Sequence, residues 1–364
     1  MITRLIVDNF KPFKSLQLRL APLTVLTGSN STGKSSVIQA LLLAQTAAES
    51  STSVPLNGPF GLALGEALDV LNAQATDQTI SFALHGPNHN EIRRFIVPEE
   101  RSVSLNRGDV STQAEVSGLR DGHIDQYLGA ERLGPRDLLD IAPVVTETIP
   151  LGEKGQFTAH ALALLDRQRI DGSRLYPGTV DAGYGTTLGE QVQAWVSWIV
   201  HSVNVEARWL PGTGAATLRF RDPNVRAEWT RPTNVGFGVS YALPIIVAGL
   251  TARPGTLFIV ENPEAHLHPA GQSRIGQFLV RVAAAGVQTI VESHSDHLIN
   301  GMRIAVVQDS LIGTSEVVIH YFDGSGIAHE ILLEPSGGLS SWPPGFFDQI
   351  ELDLGVLSRA GRGG

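Results

Sequence analysis

The sequence predicts an α/β fold in which a parallel sheet is covered by helices on both faces and a mixed α+β lobe is inserted. Three observations predict it. Strands and helices alternate from residue 235 onward, the strands of that stretch are apolar throughout, and a glycine-rich loop at residues 28–36 joins a strand to a helix near the start. Strands without polar alternation belong to parallel sheets buried under helices.

In chain order, Leu16, Leu18 and Leu20 alternate as one face of a strand, and residues 23–27 (LTVLT) form a second, more buried one. A helix follows the loop over residues 34–48, carrying Val37, Ile38, Leu41 and Leu42. Residues 73–230 change texture: short strands such as TISFAL and TLRFR are broken by polar turns, with one clear helix, LGEQVQAWVSWIV. Its Val192, Trp195, Val196 and Ile199 share one face at three-to-four spacing, a core-packing pattern. From residue 235 the order is helix 239–250, strand 256–260, helix 270–285, strand 287–292 and helix 296–307. The strands EVVIHYF and AHEILLE and an aromatic segment, SWPPGFFDQ, close the chain before a frayed GRGG. The expected organisation is residues 1–72 and 231–334 as two parts of one α/β domain, 73–230 as the inserted lobe, and 335–364 as a C-terminal segment.

The chain of 364 residues is 42% hydrophobic, enough for a folded globule. No apolar run approaches the roughly 20 residues of a membrane span, and MITRLIVDNF lacks a secretory layout, so a cytoplasmic protein is expected. The absence of cysteine excludes disulfides, zinc ribbons, iron–sulfur clusters and thiol nucleophiles. A net charge of −9 argues against a whole-surface attraction to nucleic acid, although a local basic groove can exist beneath that average.

Gly28, Gly33, Lys34 and Ser35 satisfy G-x-x-x-x-G-K-[ST] in the strand–loop–helix setting that the motif requires. Through such a loop, Gly28, Ser29, Asn30, Ser31, Thr32, Gly33, Lys34, Ser35 and Ser36 would cradle phosphates. The glycines let successive N–H groups face the anion, the helix N-terminus adds positive potential, Lys34 reaches the β- and γ-phosphates, and Ser35 can hold Mg²⁺. Three weaker patterns follow in order. The strand TLFIV runs into Glu261, where a Mg²⁺-supporting carboxylate belongs. VQTIVESHSDHL ends a strand near His294, a position suited to sensing a γ-phosphate, and NVGFGVSYALP enters a helix with Ser240 near its start, able to face an anion.

Together with LNGPFGLALGEALDVL, YLGAERLGPR, VENPEAHLHP, ESHSDHLINGMR and WPPGFFDQ, these stretches give the whole chain a resemblance to ABC-type AAA ATPases of the OLD, RecF and SMC kind. The match is strongest to a prokaryotic branch that carries a C-terminal domain of unknown function and no Toprim nuclease. The resemblance implies a P-loop NTPase fold of the ABC-ATPase type, ATP and Mg²⁺ as cofactors, and a homodimer formed on ATP binding. Carried over, it makes Ser240 the signature residue acting in trans, Glu261 with Ser35 the Mg²⁺ side, and His294 the switch histidine. It also implies control of a partner or nucleic-acid transaction, in defence or DNA repair. OLD-type relatives often carry a nuclease domain, for which the stretch after helix 296–307 is too short, so a separate effector such as a nuclease is expected.

One departure changes the chemistry. The usual Asp-Glu-Pro-Glu reads Glu261-Asn262-Pro263-Glu264. A carboxamide can orient the attacking water but cannot take its proton, so hydrolysis is expected to be slow or to draw on Glu264, Glu292 or His294. Two readings compete with a slow ATPase: a nucleotide-gated regulatory module with negligible hydrolysis, and a metal-dependent hydrolase using His266, His268, His294 and His297. Glu292 stands where the latter's first histidine should be, which leaves the set incomplete. Arg132 and Arg136 are candidates for a phosphate or a dimer partner as much as for structural ion pairs. Trp342, Phe346 and Phe347 read as pins of the terminal segment onto its own core, and Arg93, Arg94, Arg101 and Arg107 as decoration of solvated strands.

Overall fold

A computed structural model describes residues 1–50, 52–87, 89–114, 123–143, 149–224 and 228–361. The last residues of the expected frayed GRGG, 362–364, lie outside them. The chain opens with β1 (Arg4–Phe10), β2 (Phe13–Arg19) and β3 (Leu23–Gly28), then α1 (Lys34–Glu49), β4 (Ser53–Pro55) and the single turn α2 (Ala67–Val70). Next come β5 (Thr79–Gly86), β6 (His89–Ile96), β7 (Ser104–Ala114), β8 (Ile124–Leu128) and β9 (Leu139–Asp140). Helices α3 (Thr158–Leu165) and α4 (Leu188–Ile199) precede the hairpin β10 (Asn204–Leu210) and β11 (Ala215–Arg221). The final part is α5 (Phe237–Thr251), β12 (Leu257–Glu261), α6 (Pro269–Ala284), β13 (Gln288–Glu292), α7 (Asp296–Asp309), β14 (Val317–Phe322), β15 (Ala328–Leu332) and α8 (Gln349–Gly361).

The central sheet has the order β15-β14-β3-β13-β12-β8, and its internal pairs are parallel except at the β15 edge. Because side chains alternate across a strand, β3 sends Leu23 and Val25 to one core and Leu26 to the other. Phe258 and Val260 of β12 and Val291 of β13 join the first core, with α4, α5 and α6; Ile259 and Ile290 join the second, with α1 and the N-terminal strands. Val192, Trp195, Val196 and Ile199 of α4 are all buried, as their spacing predicts. A Thr187–Glu190 capping box starts that helix.

Sheet pairing divides residues 73–230 differently from a single inserted lobe. Strands β5, β6 and β7 extend the antiparallel sheet begun by β1 and β2, in the order β2-β1-β5-β6-β7-β4, while β8 is the edge of the parallel sheet. Among the described residues of this stretch, only β9, β10 and β11 form a sheet of their own. Their short alternating patterns reveal strand type but not which partner edge each strand meets. Arg93 is buried rather than solvated, with a two-pronged contact to Glu91 at 2.7 Å. In the aromatic segment Phe346 is buried as expected, whereas Trp342 is 57% exposed and only edges against the Phe346 ring. Among the described residues no helix is long and apolar enough to cross a membrane.

Candidate functional site

The phosphate loop lies where β3 stops and α1 begins, and two glycines permit it. Gly28 has φ 134°, and a Cβ there would sit 2.2 Å from the backbone oxygen of Phe322 on the neighbouring strand. Gly33, at φ 108°, would drive a Cβ to 2.4 Å from the Phe13 ring. Any side chain at either position would collide or strain the turn. The Thr32 hydroxyl donates to Ser29 O at 2.9 Å, and the Lys34 ammonium bonds Gly28 O at 3.0 Å and Ser29 O at 2.5 Å, folding the loop over its own lysine. Burial lowers the Lys34 pKa, with Glu292 opposing the shift. A cavity of about 300 Å³ opens beside the loop, lined by Lys11, Asn30, Lys34, Ser35 and Glu292 among others.

The Ser35 hydroxyl donates to Glu292, at 3.2 Å from Oε1 and 3.1 Å from Oε2. Hydroxyl and carboxylate oxygens beside a phosphate loop are the donors Mg²⁺ takes, so these residues fit the ion. Burial, followed by the Glu261 charge, pushes the Glu292 pKa up to about 7, against the pull of Lys34 and the Ser35 hydrogen bond. Sequence reasoning considered Glu292 only as a proton acceptor. The signal for a place beside Ser35 was available: an acidic residue ends an apolar strand, but that this strand pairs directly with β3 is a topological fact.

Glu261 ends β12, opposite Glu292 in the parallel register. Its Oε1 accepts a hydrogen bond from the Tyr127 hydroxyl of β8 at 2.7 Å. Burial raises both the Glu261 and the Tyr127 pKa, the latter further through the Glu261 charge. Next in chain, Asn262 adopts the left-handed region at φ 44°, donates its N–H to Glu292 O at 2.8 Å, and leaves a buried Oδ1 without a partner among the described residues. Glu264, its pKa raised by burial, accepts the backbone N–H of His294 at 2.8 Å. The His294 ring is exposed; displacement of water and then the Lys34 charge lower its pKa. The structure thus brings Glu261, Asn262, Glu264 and His294 together at the adjoining ends of β12 and β13, and none of the four lines the cavity beside the loop.

Arg132 ties this group together. It is 2% exposed, and it donates to Gly129 O at 3.0 Å, Glu261 O at 2.6 Å and Asn262 O at 2.5 Å. Its guanidinium lies 5.4 Å from the ring centroid of Tyr241 on α5, and burial lowers its pKa to about 10. Arg136 instead lines a small separate cavity together with Ser240. Ser240, the fourth residue of α5, does not line the phosphate cavity of its own chain. Pro244 lies four residues further along the helix, and a proline supplies no N–H to the carbonyl one turn back.

The histidines do not form a metal cage. His266 packs 4.3 Å from Tyr241 and stacks on Phe237, His268 accepts the Ala270 N–H at the start of α6, and His297 lies 3.9 Å from Asp296. Among the described residues no group of three or more His, Asp and Glu side chains is arranged to hold a metal ion by itself.

Three family profiles match. Residues 1–103 match the profile described as "AAA ATPase domain", residues 211–300 that described as "AAA domain, putative AbiEii toxin, Type IV TA system", and residues 312–357 "Protein of unknown function (DUF3696)". No curated protein matches. Among solved structures, the SmcHead bound to the C-winged helix domain of ScpA aligns with a TM-score of 0.50 and 13% identity, covering 92% of this chain and 97% of that one. The SMC head domain from Thermotoga maritima gives 0.44 and 13%, covering 92% and 99%. The Smc head with an extended coiled coil, bound to the C-terminal domain of ScpA derived from Pyrococcus furiosus, gives 0.49 and 10%, covering 99% of each chain. The first of these likenesses shows the fold alone. Residues 1–103 and 211–300 thus carry ATPase-domain sequence and residues 312–357 a DUF3696 segment, on a fold shared with an SMC head domain.

Proposed function

We propose that ATP and Mg²⁺ clasp two copies of this chain together, that hydrolysis releases them slowly, and that the cycle controls a separate effector. The observation that carries this reading is the division of the site. The phosphate loop and Glu292 line one cavity, while Ser240 near the start of α5 lines another. A helix N-terminus placed away from its own loop is positioned to meet phosphates held by a second copy.

Within one copy, the loop amides and Lys34 bind the phosphates, and Ser35 with a strand-end carboxylate holds Mg²⁺. The ion, when bound, neutralises charge on the β- and γ-phosphates. Asn262 presents a carboxamide where a general base usually stands; it can orient water and cannot accept the proton. Glu264, its pKa raised by burial, and His294 are the neighbouring groups able to accept it. Asn262 also supports a second reading, in which the nucleotide acts as a gate and turnover is negligible.

Light scattering with and without ATP tests the clasp. Wild type is expected to double in mass with ATP. Lys34→Ala should lose nucleotide binding, whereas Ser240→Arg should bind nucleotide as a monomer. Equal loss of binding in the two variants counts against the clasp, and turnover at roughly 1–100 per second counts against slow hydrolysis. The effector, whether a nuclease or another protein, is sought by co-purification with the ATP-locked form. The part of the expected inserted lobe that carries β9, β10 and β11 is the proposed surface for it.

A further inference from the structure

The carboxylate nearest the metal-binding hydroxyl of the loop is not the one at the end of β12. Both oxygens of Glu292 lie within hydrogen-bond distance of Ser35 Oγ, at 3.1 and 3.2 Å, and Glu292 lines the loop's cavity. Strand order explains why. β13 pairs directly with β3, placing Glu292 opposite Leu26, two residues before Gly28. Glu261 starts a further strand away, about 4.8 Å more. Its side chain is engaged by Tyr127 at 2.7 Å, from β8 on the far side of β12, and its carbonyl is engaged by Arg132 at 2.6 Å.

We propose that Glu292 is the carboxylate through which this chain holds Mg²⁺ beside the phosphate loop, with Glu261 anchored one strand away as its support. The inference rests on the nucleotide-binding reading above and specifies which residue of that site meets the ion. It also follows from the donor arithmetic of the metal. Mg²⁺ in nucleotide sites takes one or two protein carboxylates and fills its octahedron with phosphate oxygens and water. One carboxylate touching the loop serine meets that need without the three-ligand cage that the described residues lack. Charge balance points the same way. Glu261 and Glu264 both repel the Glu292 carboxylate, and Lys34 is the cation set against them. A divalent ion at Ser35 relieves that excess, and it does so from the strand next to Asn262, where the usual second carboxylate is missing.

The test uses the full chain and a fluorescent ATP analogue, titrated in EDTA and in Mg²⁺; the ratio of the two Kd values measures how much the ion strengthens binding. Mn²⁺ bound to the protein–nucleotide complex is read in parallel by electron paramagnetic resonance. Glu292→Gln is expected to keep binding in EDTA, which also shows that it is folded, and to lose at least about tenfold of the Mg²⁺ enhancement. Glu261→Gln, which removes only the support, should lose less of the enhancement than Glu292→Gln does. Enhancement in Glu292→Gln within about twofold of wild type, or an equal or larger loss in Glu261→Gln, overturns the assignment. Should Glu292→Gln fail to bind even in EDTA, Glu292→Asp decides. It keeps the charge one methylene farther back and should weaken Mn²⁺ binding at least about threefold, and unchanged Mn²⁺ affinity overturns the assignment. A Lys34→Ala chain that binds the analogue as well as wild type defeats the nucleotide-binding reading itself, a result distinct from any of these.

Discussion

Removing the Arg132 guanidinium should unfasten the turn that carries Asn262. In Arg132→Ala, the carbonyls of Gly129, Glu261 and Asn262 lose donors now at 3.0, 2.6 and 2.5 Å. Hydrogen bonds to a charged group contribute about 1.5–3 kcal/mol each, and a buried carbonyl left unpaired costs about 1–3 kcal/mol. The contributions share one donor and do not add, and removing a buried cation whose Nε is unpaired recovers part of the loss. The expected net destabilisation is therefore about 3 kcal/mol, near the lower end for breaking a buried charged network. Arg132→Lys should lose nearly as much, because an ammonium cannot reproduce the planar fork that reaches two successive carbonyls. Urea denaturation followed by tryptophan fluorescence, with the buried Trp195 as reporter, reads the change as a shift in midpoint at constant slope. A loss below about 1 kcal/mol in both variants would mean that water takes over the carbonyls and that Arg132 is not the clamp.

Three further outcomes are expected. Gly28→Ala forces a side chain against Phe322 O at a φ reserved for glycine; nucleotide binding should vanish and stability fall by about 2 kcal/mol or more, and normal binding would show that the loop can rebuild. Asn262→Glu restores a carboxylate beside the site, so ATP turnover should rise at least severalfold despite about 1 kcal/mol of strain at φ 44°, and an unchanged rate would mean that position 262 does not limit hydrolysis. His320 is buried with Nε2 donating to Arg19 O at 2.7 Å, and burial lowers its pKa. The unfolded chain then binds the extra proton first, so this contribution to stability is complete above about pH 6.5 and is lost as pH falls through the lower folded value. Between pH 7.5 and 5.5 the wild-type urea midpoint should drop more than that of His320→Gln, and equal drops would clear His320 of the effect.

The central α/β elements were legible because each carries its own periodicity. Helices expected at residues 34–48, 239–250, 270–285 and 296–307 occupy Lys34–Glu49, Phe237–Thr251, Pro269–Ala284 and Asp296–Asp309, and the strands ending in Glu261 and Glu292 end there. Such patterns report a buried face and say nothing of which edge lies beside which. That is why β5, β6 and β7, read as part of an inserted lobe, turn out to continue the sheet of β1 and β2, and why β14 lies parallel to β3 against the phosphate loop. The site divides along the same line. The loop residues were legible because glycine, lysine and hydroxyl each have a local role at a fixed spacing. Tyr127, Arg132 and Glu292 act across strands, with partners 134, 129–130 and 257 residues away in sequence. Their roles are set by strand order alone. A carboxylate at the end of β13 meets Ser35 because β13 neighbours β3, and a carboxylate at the end of β12 meets Tyr127 because β12 neighbours β8. The same residue type in the same kind of strand end acquires different chemistry from the strand beside it, so in this fold the acidic positions cannot be assigned by motif until the sheet order is known.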